Sequence, residues 1–226
     1  MEIVAGETIA YNSTDIVFSP YGNYWRQLRK ICTLELLSVR RVRAFRRIRE
    51  EEVSAFVKHI SEYGIGSVVN LTKKIYPLTN SIVARAAFGR KTRNVEDILS
   101  AMAYVVQHAI GLSIFDLYPT IAFLRVISGM KAKAEKVCTD VDRMLNSIIN
   151  DHLEKKVGPM EGAEEDFVDV LLRIQKENND LEIPLTLDNI KAVILDMFIG
   201  GTETAEMTIE WAMAEMIKNP KVMKKA

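Results

Sequence analysis

The 226-residue chain is poor in the residues that usually announce chemistry. It has two cysteines, Cys32 and Cys138, too few for a disulfide framework or a zinc site of their own. Its three histidines, His59, His108 and His152, are isolated, with no partner at metal-ligand spacing. Thirty basic residues balance thirty acidic ones, and a formal charge of zero argues against wholesale nucleic-acid binding. No window approaches the roughly 18 consecutive apolar residues of a membrane-spanning helix. The opening Met1-Glu2-Ile3-Val4-Ala5-Gly6-Glu7 has neither the basic start nor the apolar core of a secretory signal. There is no Gly-x-x-x-x-Gly-Lys loop and no His-Glu-x-x-His, and no hydrolase triad can be drawn. What is present, 48% hydrophobic and 27% charged residues, suits a folded chain with a sizeable core and excludes a disordered tail or a collagen-like rod.

Proline and glycine number only six and eleven, and they fall where helices stop. The pattern predicts helices over Asn23–Cys32, from a Ser38 cap to Tyr63, and from about Leu71 to Phe88, closed by Gly89 and kinked or delayed by Pro77. Further helices follow over Val95–Ile110, Met130–Lys156, Phe167–Lys176 and from a Thr186 cap to Lys218, with Pro220 opening another. Ser67–Asn70 reads as a short extended piece, and Ser113–Pro119 as an apolar loop. The fold class is all-α, one domain over residues 1–226.

Three segments could carry chemistry. Gly200-Gly201 sit in mid-helix, where each glycine costs about 1 kcal/mol relative to alanine. Such a pair lets another group lie on the backbone or lets the helix open locally, and Glu203 and Thr204 beside an opened turn could relay protons. The simpler alternative is that Gly200 ends one helix and Thr202 caps the next. In the second segment, Trp25 and Arg29 share a helix face at i, i+4. An indole N–H and a guanidinium aimed together suit a carboxylate or phosphate; a packed Trp with its Arg on the rim is the alternative. Third, Arg26 to Arg49 holds nine basic residues and one acidic, Glu35. The run Arg40–Arg49 could grip RNA. Val42, Phe45, Ile48 and Val53, however, recur at helical spacing, which makes the arginines a solvated face suited to docking an acidic protein.

In this order the segments resemble a known family. Tyr11-Asn12-Ser13-Thr14-Asp15-Ile16-Val17-Phe18-Ser19-Pro20-Tyr21-Gly22 leads into Trp25-Arg26-Gln27-Leu28-Arg29-Lys30. Gly200-Gly201-Thr202-Glu203-Thr204 follows, then Glu210-Trp211-Ala212-Met213-Ala214-Glu215 and Asn219-Pro220. This strongly resembles the plant microsomal cytochrome P450s that oxidise terpenoids and phenylpropanoids, whose I helix carries [Ala/Gly]-Gly-x-[Asp/Glu]-Thr. The resemblance implies a partial cytochrome P450 fold, from before the C helix to the start of the J helix. Trp25 and Arg29 would hold a haem propionate. Gly200 and Gly201 would make room for dioxygen, Glu203 and Thr204 would steer protons at the distal face, and Asp196 and Ile199 would line the pocket of a small hydrophobic organic substrate. The basic C-helix face would meet the NADPH-cytochrome P450 reductase, at the cytosolic face of the endoplasmic reticulum membrane for the full-length parent.

The chain also departs from the family. The Phe-x-x-Gly-x-Arg-x-Cys-x-Gly loop that supplies the axial thiolate is absent, as are Glu-x-x-Arg, the anchor and most of the β-structure. Ala205 stands where Thr or Ser is usual, and Pro77 interrupts a matching helix. The expectation is an interior stretch of a monooxygenase, inactive alone for want of the axial cysteine. A non-catalytic helical interaction module and an RNA-binding helical protein using Arg40–Arg49 are the alternatives.

Overall fold

The computed structural model describes residues 10–64, 66–89, 130–155, 165–177 and 181–225. Helix is the regular structure found there: α1 (Asn23–Ile31), a π-helical turn (Cys32–Leu36), α2 (Val39–Ala44), α3 (Arg46–Ser61), α4 (Thr72–Phe88), α5 (Met130–Lys155), α6 (Phe167–Glu177), α7 (Leu187–Lys218) and α8 (Pro220–Met223). The expected all-α architecture is observed among the described residues. The expected helix over Val95–Ile110 and the Ser113–Pro119 loop lie outside the described residues. Ser67–Asn70 forms no strand.

The long α7 is defined by its ends. At Thr186 a capping box forms: Thr186 Oγ1 accepts from the Asn189 N–H (3.2 Å), and Asn189 Oδ1 accepts from the Thr186 N–H (2.9 Å), an arrangement worth about 1 kcal/mol. Pro220 prevents continuation, and the Asn219 side-chain amide ties off the Glu215 carbonyl at 2.9 Å. Ile190, Val193, Ile194 and Phe198 are buried, so the first half of α7 is the axis of the core. Helix α4 lies along it more extensively than any other described pair.

Two expectations are corrected. The stretch from Ser38 to Tyr63 is two helices, broken at Phe45 (φ −79°, ψ 11°). The break lets Phe45 enter the core edge-on to Phe167, ring centroids 5.5 Å apart, while Val42 and Val53 stay exposed. The continuous apolar stripe read from the sequence therefore does not exist. Pro77 neither delays nor breaks α4, which starts at Thr72 with Asn70 Oδ1 accepting from the Lys73 N–H (3.0 Å). The carbonyl that loses its partner to Pro77 belongs to Lys73, in an exposed first turn where water can satisfy it.

Buried charges join pieces distant in sequence. Arg85 of α4 reaches Glu51 (2.6 Å) and Glu52 (2.9 Å) of α3. Lys191 of α7, 5% exposed, pairs with Asp142 (2.7 Å) and Asp188 (3.0 Å). Asp142 also accepts from the Tyr11 hydroxyl (2.9 Å). Tyr11 opens three successive residues with left-handed φ, followed by Asn12 and Ser13, a costly turn for side chains with a Cβ.

The tightest junction gathers α4, α5 and α6. Gly89 ends α4 with φ +67°, and a Cβ there would lie 2.5 Å from Asp166 Oδ2; only glycine meets both demands. Asp166 Oδ1 accepts from the Asp169 N–H (2.9 Å), which caps α6. Its Oδ2 lies 2.9 Å from His152 Nε2, and His152 Nδ1 lies 2.7 Å from the Ile148 carbonyl. Two acceptors facing two ring nitrogens require the imidazolium. Burial opposes that charge, but the Asp166 carboxylate and the Ile148 carbonyl outweigh it and raise the His152 pKa.

Because the folded state holds this proton more tightly than the unfolded chain, the stabilisation is complete below about pH 6.5 and is lost as pH rises through the elevated folded value. Denaturant unfolding followed against pH should show this decline, and His152→Gln should remove it. Gly89→Ala should destabilise by about 1–3 kcal/mol in the same assay.

Candidate functional site

The glycine pair neither opens α7 nor ends it; the helix runs unbroken from Leu187 to Lys218. Tertiary packing offsets the glycine cost. Phe88 stacks on Phe198 with centroids 6.2 Å apart, and one turn on, Gly201 faces α4, where a Cβ would lie 3.1 Å from Val83 Cγ2. Gly201 thus allows close helix approach. A Cβ at Gly200 would meet nothing within 4 Å.

Thr204, one turn after Gly200, is exposed on the same open side, and its hydroxyl donates back to the Gly200 carbonyl. Thr208 repeats the pattern onto the Thr204 carbonyl (2.7 Å). Thr202 does so onto Phe198 (2.8 Å) from a buried position. Such back-bonding loads a carbonyl with a second donor and favours a slight bend. Burial, with the charges of Glu203 and Glu206, raises the pKa of Tyr76 on α4, so Glu203, the neighbour of Thr204, lies toward that helix. The carboxylate and the hydroxyl named from the sequence are adjacent in the chain but serve different sides of the helix, the α4 side and the open side.

Asp196 is held by the segment before α1. Its Oδ2 accepts from the Ile16 N–H at 2.7 Å, and its carboxyl hydrogen-bonds that of Asp15, which is 2% exposed and accepts from the Phe18 N–H at 3.0 Å. Burial, then the Asp15 charge, push the Asp196 pKa up to about 7; burial raises Asp15 as well, against its hydrogen bonds. The pair keeps a shared proton where ordinary carboxylates are ionised. Ile199 is half-buried.

Trp25 and Arg29 do share a face of α1. The guanidinium carbon lies 5.2 Å from the indole centroid, a cation–π arrangement. The indole N–H, expected to be available for an anion, donates instead to the Ile16 carbonyl at 3.0 Å. Arg29 is exposed and has no carboxylate partner among the described residues. The Tyr24 hydroxyl, donating to the Thr14 carbonyl (2.6 Å), completes the grip on this segment.

The basic run is partly self-compensated. Arg41 pairs with Glu165, Arg46 with Glu50 and Arg47 with Glu51, while Arg49 donates to the Val42 carbonyl. Arg40 and Arg43 are exposed. Neither thiol resembles a metal ligand in waiting: burial, then the Asp196 charge, push Cys32 up to about 12, and Cys138 sits within α5. Sequence reasoning missed Asp15. A lone carboxylate before Ile16-Val17-Phe18 was its only signal, and its partner lies 181 positions away.

Two outcomes follow. Gly200→Ala should leave stability unchanged or raise it by up to about 1 kcal/mol, whereas Gly201→Leu should cost about 1–3 kcal/mol by wedging α7 from α4; thermal unfolding of the two variants checks this. The Asp15–Asp196 pair binds its proton more tightly folded than unfolded, so its stabilisation falls as pH rises from about 4 through about 7. Asp196→Asn should flatten that part of the stability–pH curve.

Comparison with known proteins agrees with this geometry. The family model for Cytochrome P450 matches residues 2–226. Desmethyl-deoxy-podophyllotoxin synthase of Sinopodophyllum hexandrum is 48% identical over 225 residues, 98% of this chain and 44% of that protein. Melianol synthase of Azadirachta indica is 45% identical over 229 residues, covering 100% of this chain and 45% of the relative. Germacrene A hydroxylase of Lactuca sativa is 42% identical over 224 residues, 99% and 45% of the two chains. The chain thus spans somewhat less than half the length of these relatives. Among solved structures, a zebrafish cytochrome P450 with abiraterone superposes with a TM-score of 0.78 at 17% identity, covering all of this chain and 49% of the other. The progesterone-bound form gives 0.74 at 19%, covering all of this chain and 50% of the other. The helical order, the open Gly200–Thr204 face and the family match together establish that the chain belongs to the cytochrome P450 family.

Proposed function

We propose that these residues form the distal part, one partial domain, of a haem-thiolate monooxygenase of plant secondary metabolism. The reaction class is RH + O₂ + NADPH + H⁺ → ROH + H₂O + NADP⁺, with a small hydrophobic organic molecule as RH. The observation that carries the reading is the open face of α7 at Gly200 and Thr204, directly after the buried first half of that helix. Relatives named as a hydroxylase and as synthases of plant metabolites support the substrate class.

The residues fit a haem on one side. When bound, haem supplies the oxidation chemistry. Gly200 leaves a side-chain-free patch for the cofactor's distal face and dioxygen, with Gly201 drawing the helix into place against α4. Thr204 holds a proton at its hydroxyl on the open side, and Glu203 exchanges protons from the α4 side. Arg29 charge-pairs a propionate, and Trp25 supports it: the ring is fixed by its bond to Ile16, and the guanidinium rests on that ring. Asp196 shapes the pocket indirectly by holding Ile16, while Ile199 lines it. No residue here suits the axial thiolate, because Cys32 is buried and neutral.

The exposed Arg26, Lys30, Arg40 and Arg43 form a basic surface for an NADPH-dependent reductase carrying complementary acidic groups. The compensated arginines of α3 favour this over RNA. The site of action is the cytosolic face of the endoplasmic reticulum membrane. Among the described residues no helix is long and apolar enough to cross a membrane.

The 226 residues incubated with haem should give no thiolate-type band in the reduced, CO-difference spectrum; such a band would overturn the assignment of the ligand to a loop these residues lack. Arg29→Ala in the haem-loaded protein should weaken haem retention about ten- to hundredfold, the scale of a charged hydrogen bond. In the full-length parent enzyme, Thr204→Ala should uncouple NADPH consumption from product formation, and unchanged coupling would remove Thr204 from the relay.

A further inference from the structure

The α4–α7 interface changes character along its length. Between Phe88 and Val83 it is apolar, with Phe88 on Phe198 and Val83 on Gly201. Rising numbers on α7 meet falling numbers on α4, so the helices run antiparallel. Toward the start of α4 the facing groups become Tyr76 and Asn80, opposite Glu203, Glu206 and Glu210. These carboxylates are spaced three and four apart and form one stripe of α7.

This polar end holds groups the protein itself does not satisfy. Asn80 is 1% exposed, yet neither Nδ2 nor Oδ1 has a hydrogen-bond partner, and Glu210 Oε1 is likewise buried without one. No cation pairs with the three glutamates among the described residues, and they do not converge as metal ligands do. Buried polar atoms of this kind are satisfied by ordered water. Burial and the Glu203 and Glu206 charges raise the pKa of the Tyr76 hydroxyl, which lies near the Asn80 amide. Burial, then the charges of Glu210 and Glu203, raise Glu206, so Glu206 retains its proton more readily than an isolated glutamate.

We propose that Tyr76, Asn80, Glu206 and Glu210 form a water-bridged path that carries protons from solvent to Glu203. The Glu206 carboxyl releases its proton to a water held by the Asn80 amide, and that water passes one to the Glu203 carboxylate. Glu206 then regains a proton from solvent through Glu210. Only protons move, and nothing is oxidised or reduced. The path rests on the relay assigned above to Glu203 and Thr204 and supplies its upstream half: Glu203 takes protons on the α4 side and returns them toward the open side.

Two measurements test it. In the isotope-labelled 226-residue chain, rotating-frame exchange NMR should show a long-lived water against the Asn80 side-chain amide, weakened several-fold in Glu210→Leu. In the haem-loaded full-length parent enzyme, Glu206→Gln and Glu210→Gln should each lower product formed per NADPH about three- to tenfold and raise the kinetic solvent isotope effect. Asn80→Leu, which keeps the packing volume, should do the same with an unchanged haem spectrum. Absence of the water contact, or wild-type coupling in both glutamine variants while Thr204→Ala uncouples, would overturn the path and leave the relay standing. Normal coupling in Thr204→Ala with uncoupled glutamine variants would instead remove the hydroxyl and retain the path.

Discussion

The close approach of α4 to α7 at Gly201 and Val83 is the constraint on which the rest depends. A larger residue at position 201 would lift α7 from its neighbour. With the two helices in contact, Phe88 and Phe198 stack, the apolar first half of α7 is covered, and the other side of the same helix is left bare at Gly200 and Thr204. Gly201 is therefore required by the packing, and Gly200 is not. Two adjacent residues with the same side chain are distinguished only by the helical rotation of about 100° between them.

Around this axis the protein uses partly buried charge as a fastener. Lys191 with Asp142, Arg85 with Glu51 and Glu52, and His152 with Asp166 each tie one helix to another or to its cap. Their individual contribution to stability is modest, since desolvation cancels much of the attraction. Their value is in register: each charge has few acceptable partners, so each fixes which turn of one helix meets which turn of another. The Asp15–Asp196 pair does the same for the segment before α1, through a shared proton.

Much of this was legible in the sequence, and the limits have physical causes. The Thr186 cap, the Asn219-Pro220 stop and the Gly89 terminus were readable because each is local: the signal and the structure it dictates lie within a few residues. The common face of Trp25 and Arg29 followed from helical spacing alone. The break at Phe45 was not legible, because the ring it packs against, Phe167, lies more than a hundred residues away. Pro77 does not delay α4 for a reason the sequence hides: its cost depends on where the orphaned carbonyl points, and Lys73 is exposed. The commitment of the Trp25 indole to Ile16 and the division of labour between Gly200 and Gly201 needed the third dimension. So did the meeting of Asp15 with Asp196.

The burial of α7 is lopsided. Its first half is enclosed up to Phe198 and Thr202, whereas Met207, Trp211 and Ile217 in its second half are exposed. The helix nonetheless stays against α4 beyond the glycine pair, where Glu210 Oε1 is buried. Gly200 and Thr204 are therefore held from both directions along one axis, and neither can shift along it without α7 sliding past α4.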